Sequence, residues 1–279
     1  MLLLFFSAKI NNIEKYSLTT SNIPNIIWAY WDGEPSNCVI KCIESWKKYN
    51  PTYQINILNS NNLSSYLPEI DILNLKHAEH VQRISDYVRV CVLYKFGGFW
   101  VDASLLMTRN LDWIHDIQNN GNYEFIGYYI EAFTTLPQYP MIENWFFAAP
   151  KDSWFIKTWT ITFLATNEYD SIDDYTKKLR DLGVDFQELT GINYHAEHCA
   201  AQYILQKLMT QDQIKQKLYL MKAEDGPFKY VYSHKWNRPK AILDVCNGNN
   251  ITPLMKFTAN ERHAIDDDPK LQCIFDIVK

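Results

Sequence analysis

The sequence has little glycine and no excess of basic residues, and each shortage argues against a class of protein. Its 279 residues include 9 glycines and neither G-x-G-x-x-G nor G-x-x-x-x-G-K-[ST], the loops with which dinucleotide-binding domains and P-loop NTPases hold phosphates. There are 27 basic and 32 acidic side chains, which give a net charge of −5. Because nucleic-acid binding usually needs a basic field, we expect no nucleic-acid partner.

No apolar run reaches the length of about 20 residues that a bilayer span needs. The N-terminal run Met1–Phe6 is also short for a signal peptide and has no basic residues before it. We interpret this run as a first strand or packing segment, with light contact to a membrane surface as the alternative. We therefore predict a protein without a transmembrane span.

The six cysteines include no C-x-x-C pair. Cys38 and Cys42 are four residues apart, the spacing of one face of a helix. We expect reduced, mostly buried thiols in a reducing compartment. The prediction is a cytoplasmic location, peripheral to a membrane if the N-terminal run touches one.

The composition is that of a folded protein with a large core. Apolar residues make up 47% of the chain and charged residues 21%, and the length suits one large α/β domain. Aromatic residues reach 15%. Trp and Tyr can stack on bases and sugar rings, although a tyrosine-rich core explains the same composition.

The apolar pattern alternates between strand and helix. Residues 23–31 predict a buried strand, 37–49 an amphipathic helix and 53–58 a second strand, an order typical of a parallel β-α-β unit. The longest clean helix is expected at 80–96, ended by Gly97 and Gly98 and followed by a strand. Further helices are predicted at about 61–67, 70–78, 152–165, 171–182 and 197–209, and further strands within 99–108, 123–130, 144–149 and 217–221. Periodicity is weak after about residue 225.

Two carboxylates are placed where a ligand site is expected. Asp86 and Arg89 are three residues apart on the long helix and so share a face. The strand after that helix delivers Asp102 near its carboxyl end, the edge at which open α/β sheets bind ligands. Taken singly, Asp86 and Arg89 can form a surface ion pair, and Asp102 can cap a turn.

Taken in order, these residues resemble a known family. Ser85-Asp86-x-x-Arg89, then Lys95-Phe96-Gly97-Gly98, then Trp100-x-Asp102-x-Ser104 are similar to the DXD-type glycosyltransferases of the capsular polysaccharide synthesis family. Segments 23–28, 42–51, 142–149 and 253–258 extend the resemblance to about residues 22–258. It implies a GT-A fold, which is a Rossmann-like nucleotide-sugar-binding α/β sandwich with additional helices, as one domain over 1–279 with a tail at 259–279.

The resemblance also implies an activity. A hexosyltransferase-like enzyme would move a sugar from a nucleotide-sugar, expected to be a UDP-sugar, to a glycan or polysaccharide acceptor with retention of anomeric configuration. The second acid of the D-x-D motif, however, is Ser104, and a hydroxyl is a poorer ligand for Mn²⁺ or Mg²⁺ than a carboxylate. The alternative is therefore a catalytically inactive GT-A-like module that binds sugars or a partner.

Site residues follow from the resemblance position by position. Asp102 and Ser104 would hold a divalent metal ion, and Lys256 could pair with the diphosphate and replace part of the metal's role. His198, at the start of a helix, is interpreted as a cleft residue, and a zinc site with His195 is disfavoured. The predicted catalytic residues are Asp86, Arg89, Asp102, Glu143 and Asn144. The predicted donor-binding residues are Trp28, Ala29, Tyr30, Trp31, Asp86, Arg89, Gly98, Trp100, Val101, Asp102 and Lys256.

Overall fold

The computed structural model describes residues 21–278, and most strands within that range belong to one mixed sheet. The N-terminal strand predicted at Met1–Phe6 lies outside the described residues. The strands are β1 (Ile26–Tyr30), β2 (Gln54–Leu58), β3 (Gly98–Val101), β4 (Leu105–Met107), β5 (Phe125–Tyr129), β6 (Ile142–Ala149), β7 (Leu218–Lys222) and β8 (Leu254–Lys256).

The main sheet has the strand order β2-β1-β3-β6-β5-β7. β1 runs parallel to both β2 and β3, and β5 runs parallel to β7, whereas β6 is antiparallel to its two neighbours. A second, two-stranded sheet pairs β4 with β8 and sets Leu105 opposite Lys256. This small sheet brings the C-terminal third of the chain against the segment that follows β3.

Helices cover both faces of the sheet. One core contains Ile27 and Ala29 of β1, and the other contains Trp28 and Tyr30, so successive side chains of one strand enter opposite cores. The predicted α/β class is therefore confirmed. The α-helices are α1 (Asn37–Tyr49), α2 (Leu63–Tyr66), α3 (Val81–Phe96), α4 (Asp112–Gly121), α5 (Trp154–Leu164), α6 (Ile172–Asp181), α7 (Ala196–Tyr203), α8 (Gln211–Lys217), α9 (Lys229–Ser233), α10 (Arg238–Cys246) and α11 (Ala259–Asp267).

Local predictions agree best where an apolar stripe is long. The helix predicted at 37–49 is α1, and the parallel pairing of the first two predicted strands is confirmed. The helix predicted at 70–78 is wrong: the structure has a single 3₁₀ turn there, Ile72–Asn74. Because Ile72 is the one buried residue of that segment, there is no apolar stripe to hold a helix against the core.

The chain after residue 225 is well packed despite its weak periodicity. Three short helices and β8 form there, followed by the 3₁₀ segment Pro269–Val278. Ile265, Leu271 and Phe275 are buried in the same core as α1, so the residues predicted as a tail contribute to the core. The three helices have only five to nine residues each, which is too short to establish a clear period in the sequence.

The expectation of fully reduced cysteines is wrong in this structure. Cys246 at the end of α10 and Cys273 in the last 3₁₀ segment form a disulfide, and the other four cysteines are free and buried. The Cα atoms of Cys246 and Cys273 lie 5.6 Å apart because their two segments pack together. The sequence separation of 27 residues does not reveal this contact. Among residues 21–278, no helix combines the length and apolarity of a membrane span.

Candidate active site

A cavity of about 480 Å³ opens at the carboxyl ends of β1 and β3. Both carboxylates on which the sequence analysis depends, Asp86 and Asp102, line it. The predicted site residues that line the cavity are Tyr30, Trp31, Asp86, Arg89, Asp102, Ser104, Glu143, Asn144 and Lys256. Five parts of the chain therefore contribute side chains to one concave site: β1, α3, the segment that follows β3, the start of β6, and β8.

The centre of the site is the guanidinium of Arg89, which is 5% exposed. Its Nη1 donates to Asp86 Oδ1 one turn away on α3, and Asp86 is itself buried. The same nitrogen donates to Glu197 Oε2 at 2.7 Å, and Nη2 lies 3.5 Å from Asp102 Oδ1. Burial alone would lower the pKa of Arg89, but the surrounding carboxylates raise it, so the group stays charged.

Glu197 is the member of this network that the sequence analysis did not assign. It is the second residue of α7, completely buried, and its Oε2 also accepts from Asn144 Nδ2 at 2.7 Å. A buried carboxylate at this position needs a cation, and Arg89 is 108 residues away in sequence. In the sequence, Glu197 lies in the polar run His195–His198 at the start of a predicted helix. This pattern does not indicate which residue pairs with Glu197.

Asp102 is held by donors on both carboxylate oxygens. Oδ1 accepts from the indole Nε1 of Trp100 at 3.0 Å, and Oδ2 accepts from Lys256 Nζ at 2.6 Å. Burial would raise the pKa of Asp102, but the charges of Lys256 and Arg89 outweigh it and lower the pKa, so Asp102 is ionised at neutral pH.

Lys256 lies between the two predicted metal ligands. Besides Asp102, its ammonium donates to Ser104 Oγ at 2.9 Å, and the side chain is almost fully buried. A divalent ion between Asp102 and Ser104 would have to displace this ammonium. Within residues 21–278, no group of three or more His, Cys, Asp or Glu side chains is arranged to hold a metal. The residues present therefore fit an ammonium cation at this position and do not fit a metal ion.

A further carboxyl group, that of Glu143, lines the same cavity. Burial raises the pKa of Glu143 to about 7, and the charge of Lys256 only partly opposes this shift. Glu143 can therefore exchange a proton near neutral pH, unlike Asp102. His198 also lines the cavity, as predicted for a cleft residue, and burial keeps its pKa well below the usual value, so the imidazole is neutral.

Five predicted donor-binding residues lie outside the cavity: Trp28, Ala29, Gly98, Trp100 and Val101. Trp28 is two residues short of the strand end, where its Nε1 donates to Gly97 O and its ring stacks on Phe96. Trp100 lies under the guanidinium of Arg89 at 5.2 Å. Trp28 and Trp100 lie in the same buried core, and Trp100 supports the site through its contact with Arg89.

Comparisons with known proteins agree on one kind of protein. A family model described as "Capsular polysaccharide synthesis protein" matches residues 2–245. Glycosyltransferase afumC of Aspergillus fumigatus is 26% identical over 168 residues, which are 54% of this chain and 42% of that protein. O-glycosyltransferase braB of Annulohypoxylon truncatum is 28% identical over 155 residues, 49% of this chain and 36% of that protein. The matches thus span less than half the length of these relatives.

Two solved structures are similar over most of the chain. The PaToxG glycosyltransferase has a TM-score of 0.43 at 13% identity and covers 99% of this chain and 93% of its own. The galactosyltransferase LgtC, in complex with donor and acceptor sugar analogs, has a TM-score of 0.46 at 10% identity and covers 91% of this chain and 95% of its own.

Proposed function

The chain belongs to the capsular polysaccharide synthesis protein family, and on that premise we propose that it is a glycosyltransferase that moves a sugar from a nucleotide-sugar to a hydroxyl of a glycan acceptor. The observation that carries the proposal is the convergence of Asp86, Arg89 and Asp102 on one cavity. If Asp86 and Asp102 lay in separate regions without a common cavity, the proposal would have no structural basis. The names of the two curated relatives support the same reaction class.

The site has a side suited to each part of a nucleotide-sugar. Tyr30 and Trp31 at the end of β1 provide aromatic faces for a base, and the guanidinium of Arg262 lies 5.7 Å from the Trp31 ring. Lys256 and Arg89 supply positive charge for the diphosphate. Asp86, which is paired with Arg89, is placed to accept hydrogen bonds from hydroxyls of the donor sugar.

The reaction needs little covalent help from the protein. The bond between the anomeric carbon and the diphosphate oxygen breaks, a bond from the acceptor oxygen to that carbon forms, and the acceptor hydroxyl loses its proton. Cations stabilise the departing diphosphate, and carboxylates stabilise the oxocarbenium-like sugar. Under the predicted retention of configuration, a diphosphate oxygen on the face of attack takes the proton. Glu143 and Asn144 then contact acceptor or donor hydroxyls.

Substitution of Asp102 tests the proposal. Asp102→Asn keeps the shape of the side chain but removes the charge that holds Lys256, so we expect sugar transfer to be abolished while circular dichroism shows a folded protein. UDP-, GDP- and CMP-sugars are supplied in turn with a mixture of glycan acceptors, and product is detected by mass spectrometry. Asp116→Asn, an exposed aspartate of α4, is the matched control and should keep full activity.

Binding and product analysis separate the alternatives. A glycosyltransferase should be stabilised against heat by one class of nucleotide-sugar and should turn it over. Stabilisation without turnover supports the inactive binding module, and equal turnover by Asp102→Asn and the wild type contradicts the assignment of the site. The configuration at the anomeric carbon of the product, read by NMR, tests the predicted retention.

A further inference from the structure

A cation that is part of the protein occupies the position between Asp102 and Ser104. We infer that the ammonium of Lys256 is the resident cation of the diphosphate site and that nucleotide binding therefore does not depend on a divalent metal ion. This inference rests on the proposed function, because it concerns the leaving group of that reaction. It assigns to Lys256 the stabilisation of that leaving group.

The tertiary structure holds the ammonium in place. β8 pairs with β4 so that Lys256 lies opposite Leu105, directly beside the segment that carries Asp102 and Ser104. Nζ is 2.6 Å from Asp102 Oδ2 and 2.9 Å from Ser104 Oγ. An ammonium has three N–H donors, and contacts within residues 21–278 use two of them. One donor is left for a phosphate oxygen in the cavity that Lys256 lines.

The charges of the site balance in the same way with lysine as they would with a metal. Two aspartates would carry two negative charges and a divalent ion two positive ones. Here one of the two acidic positions is Ser104, and the cation carries a single charge. The loss of one carboxylate and the change from a divalent to a monovalent cation therefore compensate each other. A metal ion at this position would have only one protein carboxylate and one hydroxyl as ligands, so it would depend on the diphosphate and on water for its other oxygen ligands.

The surroundings of Asp102 oppose a metal in the same place. Its Oδ1 accepts from Trp100 and lies near Arg89, and its Oδ2 accepts from Lys256, so each oxygen already has a donor. Arg89 and Arg262 also line the cavity and add to the positive charge around the diphosphate. An ion pair that served only to stabilise the fold would not need to line the cavity beside these cations.

Calorimetric titration of the full chain with UDP, GDP and CDP, in EDTA and in Mn²⁺, tests the inference. We expect at least one nucleoside diphosphate to bind in EDTA with a Kd within about twofold of that in Mn²⁺. Lys256→Gln should weaken that binding at least about tenfold, as loss of one charge-assisted hydrogen bond implies, and Lys256→Arg should keep more of it. Lys178→Gln, an exposed lysine of α6, is the control and should bind like the wild type.

A double substitution gives the converse test. Ser104→Asp together with Lys256→Ala rebuilds two acids without the ammonium, so its nucleotide binding should appear in Mn²⁺ and vanish in EDTA. This variant also covers the case in which Lys256→Gln does not fold.

The outcomes separate the two proposals. Nucleotide binding by the wild type that requires Mn²⁺ overturns the inference and leaves the glycosyltransferase proposal intact. No binding of any nucleotide or nucleotide-sugar in either buffer overturns both. Equal affinity of Lys256→Gln and the wild type in EDTA overturns the role of Lys256 alone.

Discussion

The side chain of Glu197 should stabilise the folded protein through its hydrogen bonds more than through its charge, because burial raises the pKa of Glu197 to about 8 and the charge of Arg89 only partly opposes this shift. Its Oε2 accepts from Arg89 and Asn144, whereas its buried Oε1 has no partner within the described residues. Glu197→Gln can keep both hydrogen bonds by placing the amide oxygen at Oε2. It removes a negative charge that is only partly present at pH 7, and it places an amide NH₂ at the Oε1 position, where no acceptor lies within the described residues.

The size of the effect follows from these contacts. Arg89 stays charged, so its hydrogen bond to the new amide oxygen remains charge-assisted, and only the bond from Asn144 loses a charged acceptor. We therefore expect Glu197→Gln to lower the free energy of unfolding at pH 7 by about 1 kcal/mol. Glu197→Ala also removes both acceptors and leaves a cavity, and should cost about 3–5 kcal/mol. Arg89 keeps Asp86 and Asp102 in both variants, which limits the loss.

Urea unfolding followed by tryptophan fluorescence at pH 7 measures these losses. The slope with urea should stay constant while the midpoint falls in the order wild type, Gln, Ala. Glu44→Gln is the matched control: its exposed pair with Lys41, at 2.8 Å, should change stability by less than about 0.5 kcal/mol. If both Glu197 variants unfold within about 0.5 kcal/mol of the wild type, the charge network described around Arg89 does not hold the site together.

Three further predictions concern the carboxyl group of Glu143, the disulfide between Cys246 and Cys273, and the backbone at Gly97. Burial raises the pKa of Glu143 from 4.5 to about 7, so the folded state binds this proton more tightly than the unfolded chain, and stability should fall as the pH rises between those values. Glu143→Gln should make the fall in the free energy of unfolding between pH 4 and pH 8 about 3 kcal/mol smaller than in the wild type. If the urea midpoints at the two pH values differ equally in Glu143→Gln and the wild type, the burial argument is contradicted. Reduction of the Cys246–Cys273 disulfide, which links residues 27 apart, should lower the free energy of unfolding by about 3 kcal/mol. A thiol assay on the denatured, unreduced protein should find four free thiols and not six. Gly97→Ala should lower the free energy of unfolding by about 2 kcal/mol or more, because φ is +68° and a Cβ would lie 2.4 Å from a backbone nitrogen. Gly33→Ala has a similar φ of +83° but open space around the Cβ, so backbone strain alone should cost about 1 kcal/mol. Equal losses in the two variants would contradict the predicted clash at Gly97.

Part of the site could be predicted because it depends on short spacing. The helical period sets Asp86 and Arg89 on one face, and the apolar run after the two glycines ends at Asp102. These features need only the geometry of one helix and one strand. The same geometry predicts that Trp28 and Tyr30 share a face of β1, but it does not say which of them reaches the end of the sheet.

The order of amino acids therefore defines the helices with long apolar stripes, the parallel β1–β2 pair and the acids that approach the ligand edge. The partners of those acids come from folding: Glu197 meets Arg89 from 108 residues away, and Lys256 meets Asp102 from 154 residues away. Periodicity reports which face of an element is buried, but not which distant element covers it. For that reason the cation between Asp102 and Ser104 and the disulfide between Cys246 and Cys273 emerge only once the small β4–β8 sheet and the C-terminal segment have packed.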